Sequence, residues 1–308
     1  MKKNLTGEIC LLLAALFWGG AFVAQSLGSD NIGCMTFNAA RSFIGSLVLT
    51  PVILISDRVL GKQPPRGKER KMLWLGGLVC GFFLTFAVNL QQFGIAFVDT
   101  GLSEAEAALA EKANVGKVGF LTALYIVIVP ILGLFLKKKA PPTVYIAVLI
   151  ALAGMYLLCV KADFTIGQGD ISVIACAFMF SLQILSVDYF AARVDCIRLS
   201  CLQFLVCGIL SAVGMLLWES LDIEAVLNAW APILYTGIMS SGAAYTLQIL
   251  GQKRTKPAVA SLIMSLESVF SAVFGFLILH QTLSLREILG CALMMTAVLL
   301  AQFQKKSA

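Results

Sequence analysis

Ten stretches of about twenty apolar residues each, joined by short polar connections, leave this chain few folds to choose from. They cover residues 8–27, 35–55, 72–97, 118–136, 143–160, 170–190, 199–218, 230–250, 258–279 and 285–303. A helix of that length crosses the hydrocarbon core of a bilayer, and it pairs its own backbone polar groups while doing so. Composition agrees: 59% of the 308 residues are hydrophobic and 13% are charged, about half the charged share of a soluble domain. The expectation is an all-α membrane protein with ten transmembrane helices, here numbered spans 1 to 10. Pro141, Pro142 and Pro257 stand where spans 5 and 9 begin, positions at which a missing N–H costs nothing. The opening Met1-Lys2-Lys3 and the apolar run Leu11–Ala24 have the look of a signal peptide. Glu8 interrupts it, no convincing cleavage site follows, and Asn31-Ile32-Gly33-Cys34 lacks the leucine of a lipoprotein site. Span 1 is therefore read as retained.

The net charge of +6 comes from basic residues gathered in the connections, which is a topology signal and no nucleic-acid footprint. With the N-terminus inside, eighteen of the 23 Lys and Arg residues fall on the inner side, including Lys62, Arg66, Lys138, Arg198 and Lys253. Lys112, Lys117, Lys161 and Arg286 fall outside, with Arg41 just within span 2. This places a multi-pass protein in the cell membrane, surrounded by lipid, with both termini cytoplasmic and no nucleic-acid partner. Most of the nine cysteines lie inside apolar runs, where they act as small hydrophobes. There is no CxxC pair and only one histidine, so no metal site is expected. No nucleotide-binding motif or other cofactor motif is present, so ATP is not the direct driver of whatever the protein does.

The two halves of the chain resemble each other. Gly7-Glu8-Ile9 matches Gly169-Asp170-Ile171 at an offset of 162. Leu90-Gln91 and Gly94 match Leu247-Gln248 and Gly251 at 157, and Leu124 and Gly133 match Leu266 and Gly275 at 142. Each half holds five spans, an odd number, so the repeats should lie in the membrane with opposite topology, and a substrate site is expected between them near the midplane. The drop in offset between spans 3 and 4 leaves the first half with about 15 extra residues, matched by the hydrophilic segment 101–115. Ser103 and Glu106 there form a capping box. The segment reads either as an acidic lid over the outer vestibule or as a tolerated insertion.

Span 9 carries one charge, Glu267, near its centre, flanked by the small residues Ser261, Ser265, Ser268, Ser271 and Gly275 at helical spacings. Small faces let helices approach closely. An acid at that depth faces a partner or a wet cavity. Loss of water disfavours the charged form of a carboxylate, so Glu267 can trade a proton against a cationic or polar solute, or it can simply hydrogen-bond a neighbouring helix. Tyr125 holds the repeat-equivalent position in span 4, either contacting solute and Glu267 or packing. Asn89, Gln91 and Gln92 in span 3, Tyr245 and Gln248 in span 8 and Trp18 in span 1 are the other candidates, either reading a solute or tying helices together. Trp18, Gln25 and Gln183 carry the same signal more weakly. Arg41 either snorkels to the headgroups, the preferred reading, or binds an anion. Asp188 reads as a solvated end charge. Pro130 should kink span 4, and Gly77 and Gly81 read as packing.

The text Leu266-Glu267-Ser268-Val269-Phe270, then Gly275, then Ile288-Leu289-Gly290 and Val298-Leu299-Leu300, resembles the EamA family of the drug/metabolite transporter superfamily. Ala15-Leu16-Phe17-Trp18-Gly19, Ala40-Arg41-Ser42-Phe43 and Leu121-Thr122-Ala123-Leu124-Tyr125 with Pro130 fit the same pattern. The chain departs from it in having Glu267-Ser268 for the common Glu-Pro and His280-Gln281 for the common Gly-Glu. The resemblance implies two family repeats, residues 1–162 and 163–308, forming a ten-helix secondary transporter. It implies alternating access and, often, export of a small metabolite or toxic compound; the residues themselves leave the carrier either coupled to protons through Glu267, as read above, or facilitative. In that family, spans 5 and 10 are associated with homodimer contacts. The rival readings are a membrane adaptor and an intramembrane enzyme; for the latter the sequence offers no Ser/His/Asp set, paired carboxylates or HExxH.

Overall fold

A computed structural model describes residues 2–29, 32–96, 117–138, 140–160, 168–279 and 283–302. The expected insertion at 101–115 and the dipeptide His280-Gln281 lie outside them. Among the described residues there is no strand, and nine helices are long and apolar enough to cross a membrane. They are α1 (Lys2–Ser29), α2 (Cys34–Leu60), α3 (Gly67–Ala96), α4 (Lys117–Phe135), α5 (Pro142–Cys159), α6 (Gln168–Ala191), α7 (Cys196–Trp218), α9 (from Pro257 to Leu279) and α10 (Leu285–Gln302). Between α7 and α9, the residues 230–252 form α8. It begins as an α-helix at Trp230–Tyr235, widens to a π-helix at Thr236–Ala244, and ends as an α-helix at Tyr245–Gln252.

Local chemistry sets the helix ends. Pro142 and Pro257 open α5 and α9 as their first residues. Gly61 stops α2 in the left-handed conformation, at φ 60°, which a residue with a Cβ adopts only under strain. Asp195 caps α7, accepting from the N–H groups of Ile197 and Arg198 at 3.1 Å while holding Lys62 at 2.8 Å. At the opposite end of the bundle, the Glu219 carboxylate beyond α7 accepts from the N–H groups of Met35 and Thr36 at 2.8 Å and so caps α2. Gly33 makes room for it, because a Cβ there would lie 2.2 Å from Glu219.

The repeat visible in the sequence is visible in the packing. Helix α3 lies on α6 and α7, and α8 correspondingly lies on α1 and α2; α4 meets α6 as α9 meets α1; α2 with α7, and α5 with α10, pair across the approximate two-fold. The match extends to single contacts. A Cβ on Gly94 would lie 2.2 Å from Val173 in α6, and one on the equivalent Gly251 would lie 2.6 Å from Leu11 in α1, the residue equivalent to Val173. Gly77 and Gly81 pack against Leu202 and Val206 of α7, as expected of a small-residue face. Helix α4 is clipped to α6 at both ends by the ion pairs Lys117–Asp170 and Lys138–Asp188. Asp188 is thus a partnered group, where its place at a helix end had suggested a free solvated charge.

Helices α5 and α10 cross at glycines. A Cβ on Gly290 would sit 2.6 Å from the carbonyl oxygen of Gly154 and 2.7 Å from the nitrogen of Leu158, both backbone atoms that cannot step aside. Gly290→Ala should therefore destabilise the protein by about 1–3 kcal/mol, the usual range for overpacking, and lower its melting temperature in detergent. An unchanged melting temperature would mean that the helices re-space freely. Asp195 generates a second expectation. Its burial raises the carboxyl, but the Lys62 ammonium and the two cap N–H groups outweigh that and hold it below the usual carboxylate range. The cap's stabilisation is then present above about pH 4 and lost as pH falls through the lowered value. Asp195→Ala should cost about 1 kcal/mol near neutral pH, and the gap to wild type should close in acid.

Candidate functional site

Two helices break, and they break at equivalent residues. In α4, the turn at Ala123-Leu124 separates residues 117–122 from Tyr125–Phe135; in α9, the turn at Ser265-Leu266 separates Pro257–Met264 from Glu267–Leu279. Several backbone hydrogen bonds correspond across the two breaks. Leu124 donates to Leu121 and Leu266 to Ile263, both at 3.2 Å and both one residue short of helical spacing. Ile126 donates to Ala123 as Ser268 donates to Ser265. In α9 the tightened turn takes the Leu266 N–H away from the Leu262 carbonyl, and the Ser265 hydroxyl donates to that carbonyl at 2.8 Å instead. Neither break is made by proline. Pro130 lies further along, within the helical stretch Tyr125–Phe135, so the turn at 123–124 is an interruption separate from any bend at the proline.

Tyr125 and Glu267 are the first residues after the two breaks, and they meet: the Tyr125 hydroxyl donates to Glu267 Oε1 at 3.1 Å. Glu267 is 7% exposed and opens a half-helix, whose N-terminal dipole favours a carboxylate. Both line a central cavity of about 40 Å³, which has room for a few water molecules. Larger spaces lie toward the two ends of the bundle. One of about 420 Å³ is bordered by Pro130, Lys138, Asp188 and Lys253, and one of about 450 Å³ by Leu27, Asp222, Asn228 and Pro232.

Of the candidates read from the sequence, the cavity gathers Trp18, Gln91, Tyr125, Tyr245, Gln248 and Glu267. Trp18 meets Tyr245 edge-on at 4.8 Å. Gln91 donates to Thr122 at 3.3 Å, and Gln248 donates to Gln183, which donates on to Gln203. Asn89 and Gln92 are not among the lining residues. Asn89 accepts from Asn38 at 3.0 Å and donates to Ser211 at 2.9 Å, tying α3 to α2 and α7, while Gln92 donates to the Gln25 carbonyl of α1 at 3.4 Å. Arg41 reverses its preferred reading. It is 4% exposed, lines the cavity, and donates to Gln25 Oε1 at 3.2 Å, so it does not snorkel. Its helical neighbours Asn38, Ser42, Gly45 and Ser46 form a small, polar face on α2, and that face is the signal that would have sent it inward.

Most of the lining obeys the repeat. Trp18 and Phe180, Phe22 and Ile184, Gln91 and Gln248, Thr122 and Met264, and Tyr125 and Glu267 are equivalent pairs at the offsets of 162, 157 and 142, and all ten line the cavity. A family model for the EamA-like transporter family matches residues 5–160 and again 167–303. The chain belongs to the EamA-like transporter family. Relatives named only as uncharacterized transporters match along nearly the whole length. One from Archaeoglobus fulgidus is 27% identical over 303 residues, covering 98% of this chain and 87% of its own. In Bacillus subtilis, YwfM is 27% identical over 307 residues, covering 97% of this chain and 94% of its own, and YoaV is 21% identical over 308 residues, covering 98% of each. A crystal structure 20% identical in sequence shares the fold, with a TM-score of 0.75 over 97% of this chain and 96% of that one. Family and relatives make this EamA-like protein a membrane transporter.

Proposed function

We propose that this EamA-like protein is a secondary transporter that moves a small organic solute by alternating access, exchanging it for a proton on Glu267. The observation that carries this reading is the position of Glu267: a buried acid, at a helix break, in a cavity between the two repeats. A group placed there meets solute whichever end of the bundle is open. Its hydrogen bond from Tyr125 survives protonation of the carboxyl with the roles of donor and acceptor rearranged, since a phenol and a carboxylic acid each do both. The cavity is too narrow for a solute of metabolite size, so loading requires the repeats to part toward one of the larger end spaces.

The concentration of Lys and Arg at the end bearing Lys62, Lys138, Arg198 and Lys253 supports a cytoplasmic placement for that end and for both termini, in the cell membrane. The chain divides on this reading into repeats 1–162 and 163–308, of opposite topology. Apolar residues on the outward faces of α5 and α10, among them Ile146, Leu149, Ile288 and Leu289, suit either lipid or a second copy of the chain. Export is the direction that the family resemblance favours.

The test is flux in proteoliposomes under an imposed pH gradient, with radiolabelled amino acids, amines and quaternary cations as probes. Wild type should accumulate at least one probe against its gradient when protons run the other way. Glu267→Gln should lose this proton-driven accumulation by tenfold or more, and Tyr125→Phe should retain part of it. Equal proton-driven accumulation in Glu267→Gln would remove the acid from the coupling step.

A further inference from the structure

The space of about 420 Å³ at the end of the bundle that bears Lys138 is lined by five cations. Lys137 and Lys138 come from the end of α4, and Lys253, Arg254 and Lys256 from the link between α8 and α9. Asp188 is the one carboxylate among its lining residues, and it already pairs with Lys138. The other four cations enter none of the ion pairs among the described residues. A neighbouring space of about 380 Å³ is the contrast, because its Lys62 and Arg198 are matched by Asp195 and Asp57. The bias of basic residues toward one side of a membrane accounts for the sign of the charge at this end. It does not account for four unmatched cations, from two elements, around one cavity. The backbone holds them there. Lys137 stands just beyond α4 at φ 57°, where glycine is the usual choice, and the Lys138 N–H closes the turn onto the Gly133 carbonyl at 2.8 Å. On the other side Gly7 of α1 abuts the link, and a Cβ on it would lie 2.8 Å from Thr255 Oγ1 and 3.0 Å from Arg254 Cβ. Gln252 also lines the cavity. It is 2% exposed, donates to the Ile184 carbonyl at 3.1 Å and leaves its Oε1 without a partner, although buried polar groups ordinarily have one.

We propose that this end cavity binds the headgroup of an anionic phospholipid bearing a hydroxyl, with the phosphate among Lys137, Lys253, Arg254 and Lys256 and the hydroxyl at Gln252 Oε1. Such a site is independent of the carrier reading above. Phosphate oxygens accept several charge-assisted hydrogen bonds at once, and ammonium and guanidinium groups both supply them. An amide oxygen only accepts, so the phosphodiester does not satisfy Gln252 Oε1 and a hydroxyl on the headgroup does. The location favours a lipid over a dissolved anion. Ile131, Leu134, Phe135 and Leu136 present exposed apolar side chains at the end of α4, beside the lining residues Val129, Pro130 and Gly133, so acyl chains have an apolar surface to follow. Basic pockets between transmembrane helices at a membrane surface take headgroups of this kind. A bound phosphate also lies between two elements of like charge, the end of α4 and the α8–α9 link, and replaces their repulsion with attraction to a shared anion.

The experiment is lipid binding to the purified full-length protein in detergent, read by native mass spectrometry, with thermal unfolding as a second readout. The probes, with matched acyl chains, are phosphatidylglycerol, phosphatidylcholine, and phosphatidylmethanol, which keeps the phosphodiester and lacks the hydroxyls. Phosphatidylglycerol should bind tenfold or more tighter than phosphatidylcholine, with phosphatidylmethanol between them, and should raise the melting temperature. The triple variant Lys253→Gln, Arg254→Gln, Lys256→Gln should lose that preference. Lys137→Gly is the variant that keeps its fold, because glycine suits the left-handed position. It should weaken phosphatidylglycerol by about fivefold, the usual worth of one cation near anionic lipid, without lowering the melting temperature of the lipid-free protein. The triple variant Arg66→Gln, Lys68→Gln, Arg70→Gln removes as many cations from an exposed stretch around the start of α3, and it should keep the preference. Equal binding of phosphatidylglycerol and phosphatidylcholine to wild type would overturn the proposal, as would the same loss in the α3 variant. Phosphatidylmethanol binding as tightly as phosphatidylglycerol would overturn the role given to Gln252. Displacement of phosphatidylglycerol by equimolar inorganic phosphate would make the site one for a dissolved anion and overturn the lipid assignment.

Discussion

Inside a bilayer there is no water to accept a broken backbone hydrogen bond, so a helix can be interrupted only where protein or a wet cavity surrounds the break. Helices α4 and α9 are both interrupted, at repeat-equivalent turns, and both turns border the central cavity. The interruptions do chemical work by their location. They expose the start of a new half-helix at the centre of the bundle, and the residues at those starts are Tyr125 and Glu267. The acid is tolerable at that depth because a phenol hydroxyl reaches it at 3.1 Å and because the cavity admits water. The same turns would be ruinous on the lipid-facing surface of α5 or α10.

Around those turns the structure is a repeated frame with local exceptions. Close crossings at Gly94 and Gly251 bring matching helix pairs together in each half. Ion pairs clip α4 to α6 at both ends, so these two helices are well suited to moving together. The equivalent contact of α9 with α1 relies on close approach, with Gly19 lodged against Phe270 and Ser271. On the α8 side, the π-helical stretch Thr236–Ala244 lies against α2, where Gly237 and Gly45 let Ile44 and Ser241 in. It carries Ser240 and leads directly into Tyr245, two of the cavity residues that have no repeat partner there. Widened helical turns of this kind commonly mark functional positions.

Hydrophobic run length was enough to read the helices, because length and apolarity are what a bilayer requires of them. Short text matches such as Gly94 with Gly251 also revealed the repeat, because close helix crossings demand glycine in both halves. The pairing of Tyr125 with Glu267 followed from one offset. The breaks themselves were not legible. Ala123-Leu124 and Ser265-Leu266 contain neither proline nor glycine, and the tightened turns depend on tertiary neighbours and on a serine hydroxyl that elsewhere would be unremarked. Arg41 was misread because span position alone suggested a headgroup partner, whereas its small polar helical face pointed inward. Among the span 3 amides, helical geometry forbids Asn89, Gln91 and Gln92 from sharing one direction. Only the packing of α3 on α6 and α7 decides that Gln91 is the one at the cavity.

The central claim is that solute and proton compete for Glu267. It is tested most directly by counting protons released when solute binds to the purified transporter in weakly buffered detergent solution, using a pH indicator. With the tightest-binding solute, wild type should release close to one proton per solute bound near neutral pH, and Glu267→Gln should bind while releasing none. Binding to wild type with no proton released, or the same release from Glu267→Gln, would contradict the competition and leave Glu267 as a packing residue of the helix break.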